Sequence, residues 1–273
     1  MRPLFSTLKP RLVASLTDST ANDAVSTIRN ALYDGADAFM LHLEAMEPSE
    51  RTEENLTRIM NYCCDKPLFT MNYRTGDRPD EELVAEQLLA VRCGASMIDM
   101  MGDMFDPSPM ELTTNPKAIK CQQDIIEEVH SHGGEVLMSS HTWVYMDSEE
   151  LLTHCRTLKD RGADFVKIAM SVHSEEEALD AMKSTTLVSR ELGVPFLHVC
   201  MGQYGKLHRA ISPMLGSCFG ICVQSYTPAG HKEKPLLRST RAVFDNIDWK
   251  PARNPLLGTT IGIPPASADD QKF

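Results

Sequence analysis

Residues 160–170, "DRGADFVKIAM", contain the pattern that decides the fold. A glycine follows an amphipathic segment and precedes an apolar run of about six residues. Glycine readily adopts the left-handed conformation that ends many helices. A short, continuous apolar run is typical of a strand that is buried on both faces. The stretch therefore predicts that a helix ends at Gly162 and that a buried strand covers residues 164–170.

The same pattern recurs in "YDGADAFML", "RCGASMIDM", "SHGGEVLMS" and "ELGVPFLHVC". Together with the segments between them, these stretches predict strands at roughly residues 11–16, 37–43, 67–72, 96–101, 135–140, 164–170, 195–201 and 217–224. Helical patterns separate the strands, so we expect an α/β protein with a parallel sheet closed into a (β/α)8 TIM barrel. The alternative is an open doubly wound sheet, but no Gly-x-Gly-x-x-Gly motif follows a strand.

The domain organisation predicted from this pattern is simple. Residues 1–273 read as a single barrel domain, because no linker or low-complexity segment interrupts the alternation. Residues 248–273 are rich in proline and small residues, and we expect them to form a surface extension at the C-terminus.

Composition excludes several classes of partner. The 273 residues carry a formal net charge of −11, which argues against binding to nucleic acid or to an anionic membrane. No apolar run has the length needed to span a bilayer, and the first residues do not resemble a signal peptide. We therefore expect a cytoplasmic protein whose eight cysteines are mostly reduced core thiols.

Lys167 is the most informative residue of the predicted sixth strand. Its neighbours are apolar, and a buried ammonium is costly unless it is paired or neutral. Its long side chain could carry the charge to the surface, or a neutral amine could attack a ketone. Alternation places Phe165, Lys167 and Ala169 on one face; if this face points into the barrel, Lys167 lies beside His141 of the neighbouring strand.

A metal site is the competing interpretation of the polar residues at the strand ends. His42, Asp99, His141 and His198 are of types that bind zinc or iron. Their spacing does not require a metal, however, because each residue comes from a different strand. A lysine in the same cavity would also repel a cation.

Three stretches resemble the type I 3-dehydroquinate dehydratases: "VLMSSHTW" at 136–143, "DFVKIAM" at 164–170 and "MGQYGKLHRAISPMLGSCFG" at 201–220. The resemblance covers about residues 10 to 247 in matching order. It implies a cofactor-free (β/α)8 barrel, commonly a homodimer, that dehydrates 3-dehydroquinate in the shikimate pathway of aromatic amino acid biosynthesis.

The resemblance also implies roles for individual residues. Lys167 corresponds to the lysine that forms an imine with the substrate ketone, and His141 to the histidine that transfers protons. Arg209 corresponds to the arginine that holds the substrate carboxylate. Thr227 and His231 stand near the family's serine and glutamine, which help in binding the same group.

Other positions depart from the family pattern. The family's second strand carries Glu-x-Arg-x-Asp, where this chain has Met40, His42 and Glu44. Asn72 stands at the family arginine of the third strand, and Met101 replaces a glutamate of the fourth. Methionine cannot replace a carboxylate as a strong hydrogen-bond acceptor. The clamp for the carboxylate is thus retained, whereas the part of the site that binds ring hydroxyls is remodelled.

The family glutamate that orients the histidine is also replaced, because its position falls on Gly76. The sequence leaves open whether Asp77, Asp99 or Glu44 takes that role.

The sequence predicts a Schiff-base lyase that eliminates water from a β-hydroxy ketone bearing a carboxylate. Its expected ligand is a small keto acid, with no cofactor and no metal. The substrate is either 3-dehydroquinate or a less hydroxylated keto acid. A metal-dependent barrel hydrolase or aldolase and a non-catalytic sugar-acid sensor are the alternatives from other classes.

Overall fold

The computed structural model describes residues 11–226 and 233–247, in which strands and helices alternate as the glycine pattern predicts. The eight strands, β1 to β8 in chain order, are Leu12–Leu16, Ala38–His42, Leu68–Met71, Met97–Met101, Glu135–Thr142, Phe165–Ser171, Phe196–Met201 and Gly220–Cys222. The helices, α1 to α8, are Ala21–Tyr33, Glu53–Tyr62, Asp80–Arg92, Pro116–Ser131, Ser148–Lys159, Glu175–Glu191, Gly205–Ile211 and Leu237–Asp245. The predicted extension at 248–273 lies outside the described residues.

All the strand pairs are parallel, and the order of the sheet is β7-β6-β5-β4-β3-β2-β1-β8. The sheet curls until its two ends meet. Cys218, just before β8, donates its N–H to the carbonyl of Phe196 on β7 at 2.8 Å. The prediction of a (β/α)8 barrel is confirmed, and the open sheet is excluded.

Helix ends follow the local sequence. Gly162 has φ +104° and Gly94 has φ +110°, so both use the left-handed conformation expected after a helix. Asp147 caps α5 in a complete capping box with Glu150. Ser174 caps α6 and accepts the N–H of Glu177 at 3.2 Å, but the Glu177 carboxylate accepts from His173 N. The capping box that the spacing of Ser174 and Glu177 would allow is therefore only half formed.

Alternation along the strands divides the core into two layers. The side chains that fill the barrel come from one face of each strand: Val13, Ala38, Met40, Phe69, Met71, Met97, Leu137, Phe165, Ala169, Leu197, Val199, Phe219 and Ile221. The opposite faces pack against the helices, as Val166, Ile168 and Met170 do on β6. Lys167 therefore points into the barrel with Phe165 and Ala169, as predicted.

Two further expectations from the sequence concern membrane-spanning segments and the cysteines. Within the described ranges, no helix combines the length and the apolar character that crossing a membrane requires. All eight cysteines are free thiols, and four of them, Cys63, Cys155, Cys200 and Cys222, are buried, so half rather than most of the cysteines are core thiols.

Candidate active site

A cavity of about 420 Å³ opens at the C-terminal ends of the strands, where barrel enzymes place their chemistry. Its lining combines apolar side chains from the strands with charged groups from the strand ends and the loops: Met40, His42, Glu44, Met71, Tyr73, Arg74, Met101, Glu111, His141, Trp143, Lys167, Ala169, Val199, Met201, Arg209, Ile221, Glu233 and Lys234. The cavity thus contains Lys167, His141 and Arg209, the three residues that the sequence predicts to perform the main steps.

Lys167 lies at the base of this cavity and is 3% exposed. Its Nζ atom is 2.8 Å from Oδ2 of Asp99, whose side chain is fully buried on β4. The ion pair explains how a cation is accommodated within an apolar strand, because a buried charge requires a partner. The structure therefore supports neither a side chain extended to the surface nor an amine surrounded only by apolar groups.

Tyr73 is one of the residues at this site that the sequence analysis missed. It follows β3, and its hydroxyl contacts Lys167 Nζ, Asp99 Oδ2 at 3.1 Å and His141 Nε2 at 3.0 Å. Burial, and then the carboxylates of Asp99 and Glu111, raise the pKa of Tyr73 well above its usual range. The side chain therefore remains a neutral phenol in the centre of the charged cluster.

His141 is held by Glu111, which is none of the three acids considered from the sequence. Glu111 Oε2 accepts from the backbone N–H of His141 at 2.9 Å and lies 2.8 Å from its Nδ1. A carboxylate has no proton to give, so Nδ1 carries the hydrogen, and in the neutral ring Nε2 presents its lone pair to the cavity. Asp99 pairs with Lys167, Glu44 contacts His42, and Asp77 is exposed.

Backbone strain accompanies the position of Glu111. Met110 and Glu111 have φ values of +66° and +46°, an unfavourable conformation for residues with side chains. The loop is anchored from below by buried Arg161, which donates to the carbonyls of Gly102 and Thr113. The fold thus stabilises a strained loop that brings a carboxylate to His141.

The part of the cavity near the ends of β7 and β1 carries two cations. Arg209 on α7 donates from Nε to the carbonyl of Cys200 at 2.7 Å, which fixes the guanidinium at the cavity wall. Lys234, which precedes α8, is buried and donates from Nζ to Ser15 Oγ at 3.0 Å. Burial, and then Arg209 and Lys167, lower the pKa of Lys234 to about 8. Both side chains suit the acidic end of a ligand.

His42 continues the hydrogen-bond chain from Lys234. Ser15 Oγ is 3.0 Å from His42 Nε2, and His42 Nδ1 is 2.7 Å from Glu44 Oε1. Burial lowers the pKa of His42, so its ring is neutral, with Nδ1–H directed at Glu44. Lys234, Ser15, His42 and Glu44 therefore form one ordered chain of donors and acceptors.

The other residues that the sequence predicts to contact substrate do not all line the cavity. Met40 and Met101 line the cavity, as expected. Asn72 does not, because strand alternation turns it outward, where its Nδ2 donates to Leu83 O at 3.1 Å and to Glu86 Oε2 at 2.7 Å. The structure thus gives no support to Asn72 as a substrate contact. Thr227 and His231 lie outside the described residues.

The alternative metal set does not converge in the cavity, because His198 points away from it, between β7 and the helices. There it lies beside Cys200 and His208, and ligand atoms of the three residues lie within 4.8 Å of one another. The Thr185 hydroxyl donates to Ala181 O and is 2.8 Å from a nitrogen of each histidine ring. A buried hydrogen-bond network therefore accounts for this group.

Comparison with known proteins finds relatives that are similar in sequence over most of the chain. A 3-dehydroquinate dehydratase from Salmonella agona is 25% identical over 226 residues, which are 80% of this chain and 87% of the relative. One from Lactiplantibacillus plantarum is 23% identical over 217 residues, which are 78% of this chain and 83% of the relative.

Solved structures share the fold at lower identity. The 3-dehydroquinate dehydratase of Geobacillus kaustophilus matches with a TM-score of 0.73 at 17% identity, over 88% of this chain and 92% of its own. The type I enzyme of Clostridium difficile, solved with covalently modified comenic acid, matches with a TM-score of 0.74 at 16% identity, over 88% of this chain and 93% of its own.

The family model described as type I 3-dehydroquinase matches residues 12–228, which include every barrel strand. This match spans most of the chain and contains Lys167, His141 and Arg209. The chain therefore belongs to the type I 3-dehydroquinase family.

Proposed function

We propose that the protein is a Schiff-base lyase that removes water from a β-hydroxy keto acid. Lys167 attacks the ketone and forms an imine, with loss of the carbonyl oxygen as water. His141 then takes a proton from the carbon next to the imine and returns it to the departing β-hydroxyl, which leaves as a second water. Hydrolysis of the imine restores Lys167 and releases the conjugated ketone.

One observation carries this proposal: a buried lysine and an oriented histidine lie at the base of one cavity, with a single hydroxyl between them. Because one hydroxyl contacts both Lys167 Nζ and His141 Nε2, a substrate carbon next to an imine at Lys167 would lie within reach of His141 Nε2. The Clostridium difficile relative was solved with covalently modified comenic acid, which is in keeping with covalent chemistry.

The acidic end of the substrate is assigned to the wall opposite His141. Arg209 presents a planar fork that matches a carboxylate, and Lys234 adds a second cation nearby. Thr227 and His231 remain proposed helpers of Arg209 on the basis of family correspondence. The homodimer and the cytoplasmic location also remain predictions.

Trapping the imine tests the function. The protein is incubated with a panel of cyclic and open-chain β-hydroxy keto acids, reduced with borohydride and analysed by intact mass and peptide mapping. We expect one reduced ligand per chain, attached at Lys167. Lys234 provides an internal control, since it is a second buried amine in the same cavity.

Two outcomes would contradict the proposal. An adduct at Lys234 instead of Lys167 would show that Lys167 is not the amine that forms the imine. No adduct with any keto acid, together with tight reversible binding, would favour the sugar-acid sensor.

We predict that 3-dehydroquinate is a poor substrate. A hydroxyl placed against Met40 or Met101 loses water without gaining a partner, at a cost of roughly 1–3 kcal/mol each. His42 can recover part of this loss, although both of its ring nitrogens already have partners. We expect kcat/KM below about 10⁴ M⁻¹s⁻¹, the lower end of the range for ordinary enzymes. Absorbance of the conjugated product measures the rate.

The control for this prediction is Met101→Glu, which restores a carboxylate where the family has one. The variant should gain activity on 3-dehydroquinate relative to less hydroxylated keto acids, because specificity follows the groups that pair with substrate hydroxyls. Efficient turnover of 3-dehydroquinate by the natural chain would show that the methionine walls still fit the family substrate.

A further inference from the structure

The contacts of Tyr73 raise a question about how Lys167 becomes reactive. Lys167 donates to both Asp99 Oδ2 and the Tyr73 hydroxyl, and its ion pair with the Asp99 carboxylate favours the ammonium form. An ammonium has no lone pair and cannot attack a carbonyl. The proposed reaction therefore needs a route by which Lys167 loses a proton inside a cavity where it is only 3% exposed.

The hydrogen-bond directions define such a route. The ammonium can only donate, so the Tyr73 oxygen accepts from Lys167. Nδ1 of His141 is occupied by its bond to Glu111, so Nε2 is an acceptor 3.0 Å from the same oxygen. Tyr73 can thus accept a proton from Lys167 while it donates its own to His141.

The contacts of Tyr73 with His141 and Asp99 favour proton transfer from Lys167 toward His141. Tyr73 and His141 meet edge to face, with ring centroids 4.7 Å apart and planes at 89°. The phenol also contacts Asp99 Oδ2 at 3.1 Å, so its proton has two acceptors. Of these two acceptors, His141 is the one that uses the proton in the next step, as the acid for the departing hydroxyl. Asp99 instead already pairs with Lys167, the residue that must be neutralised.

We propose that Tyr73 is a catalytic proton relay that activates Lys167 by passing its proton to His141. This inference rests on the proposed function, because it assigns a role in imine formation. One proton moves from Lys167 Nζ to the Tyr73 oxygen as another moves from that oxygen to His141 Nε2. The products are a neutral amine, an unchanged phenol and an imidazolium, so atoms and charge balance.

The products of this transfer are suited to the step that follows. The neutral amine attacks the ketone, and the imidazolium can then protonate the hydroxyl that must leave to form the imine. The raised pKa of Tyr73 is consistent with this role, since the phenolate does not accumulate and the relay returns to its starting form.

Tyr73→Phe tests the relay, because it keeps the ring and removes only the hydroxyl. Imine formation is followed in a single turnover by quenching with borohydride at successive times and at several pH values. We expect a rate lower on the order of 10²-fold at neutral pH. The rate should recover as the pH rises, since hydroxide from solvent then removes the proton. The final adduct should still lie on Lys167.

Tyr145→Phe is the matched control. The Tyr145 hydroxyl donates to Asp180, and the residue does not line the cavity. This variant should form the imine at the wild-type rate at every pH. A Tyr73→Phe variant with the wild-type rate and pH profile would overturn the relay while leaving Lys167 as the nucleophile. No adduct at Lys167 in the wild type would instead refute the proposed function.

A measurement on the wild type covers the case in which Tyr73→Phe does not fold. Two protons move together in the relay, so the rate of imine formation should fall in heavy water. Its dependence on the deuterium fraction should be curved. An equal rate in the two solvents would overturn the proposal.

Discussion

Lys167→Met is expected to abolish both the trapped adduct and turnover. Methionine is unbranched and fits the apolar lining of the cavity, but it supplies no amine for the imine. Loss of a covalent nucleophile lowers kcat on the order of 10⁴-fold or more. Stopped-flow absorbance gives the rate, and intact mass after borohydride gives the adduct.

The buried partner of Lys167 requires its own control. Without the lysine, the carboxylate of Asp99 is left in the barrel without a counter-charge, and breaking a buried pair in this way destabilises a protein by about 3–5 kcal/mol. Lys167→Met combined with Asp99→Asn removes both charges and should recover much of that stability without recovering activity. Thermal unfolding separates the two effects.

Lys234→Met distinguishes the reactive amine from a nearby cation. It removes a buried amine from the same cavity, but an adduct should still form on Lys167 at saturating keto acid. Turnover by Lys167→Met at more than a few per cent of the wild-type rate would contradict the assignment of the nucleophile.

Strand alternation predicted the fold and the orientation of Lys167 because both depend on a repeating local pattern. The same alternation along β3 places Phe69 and Met71 in the barrel, continues inward to Tyr73 and turns Asn72 toward α3. The expectation that Asn72 contacts substrate follows the family correspondence instead. The periodicity of the strand was thus the better guide at this position, and it contained the signal for Tyr73.

Glu111 and Lys234 could not be predicted in this way. Glu111 lies in a strained loop and reaches a histidine 30 residues further along the chain. Lys234 contacts Ser15, which is 219 residues away in sequence. Neither residue belongs to a periodic segment, so only the closed barrel brings them to the cavity. Residues of this kind add charges to the site that the strand pattern does not reveal.

His141→Ala is expected to separate imine formation from elimination. The amine of Lys167 remains, so the reduced adduct should still accumulate during a long incubation, although more slowly if its proton must leave to solvent. Elimination also needs a base at the adjacent carbon and an acid at the departing hydroxyl. Losing both functions should lower kcat on the order of 10²- to 10⁴-fold.

Two further variants make this result specific. His130→Ala removes an exposed imidazole whose Nε2 is 2.7 Å from Asp164, well away from the cavity lining, and should leave turnover unchanged. Glu111→Gln keeps a carbonyl oxygen for the Nδ1–H of His141 but removes the charge that stabilises the imidazolium. Its kcat should therefore lie between those of the wild type and His141→Ala. Wild-type turnover in His141→Ala would remove the histidine from the mechanism and leave Tyr73 as the group nearest the reacting carbon.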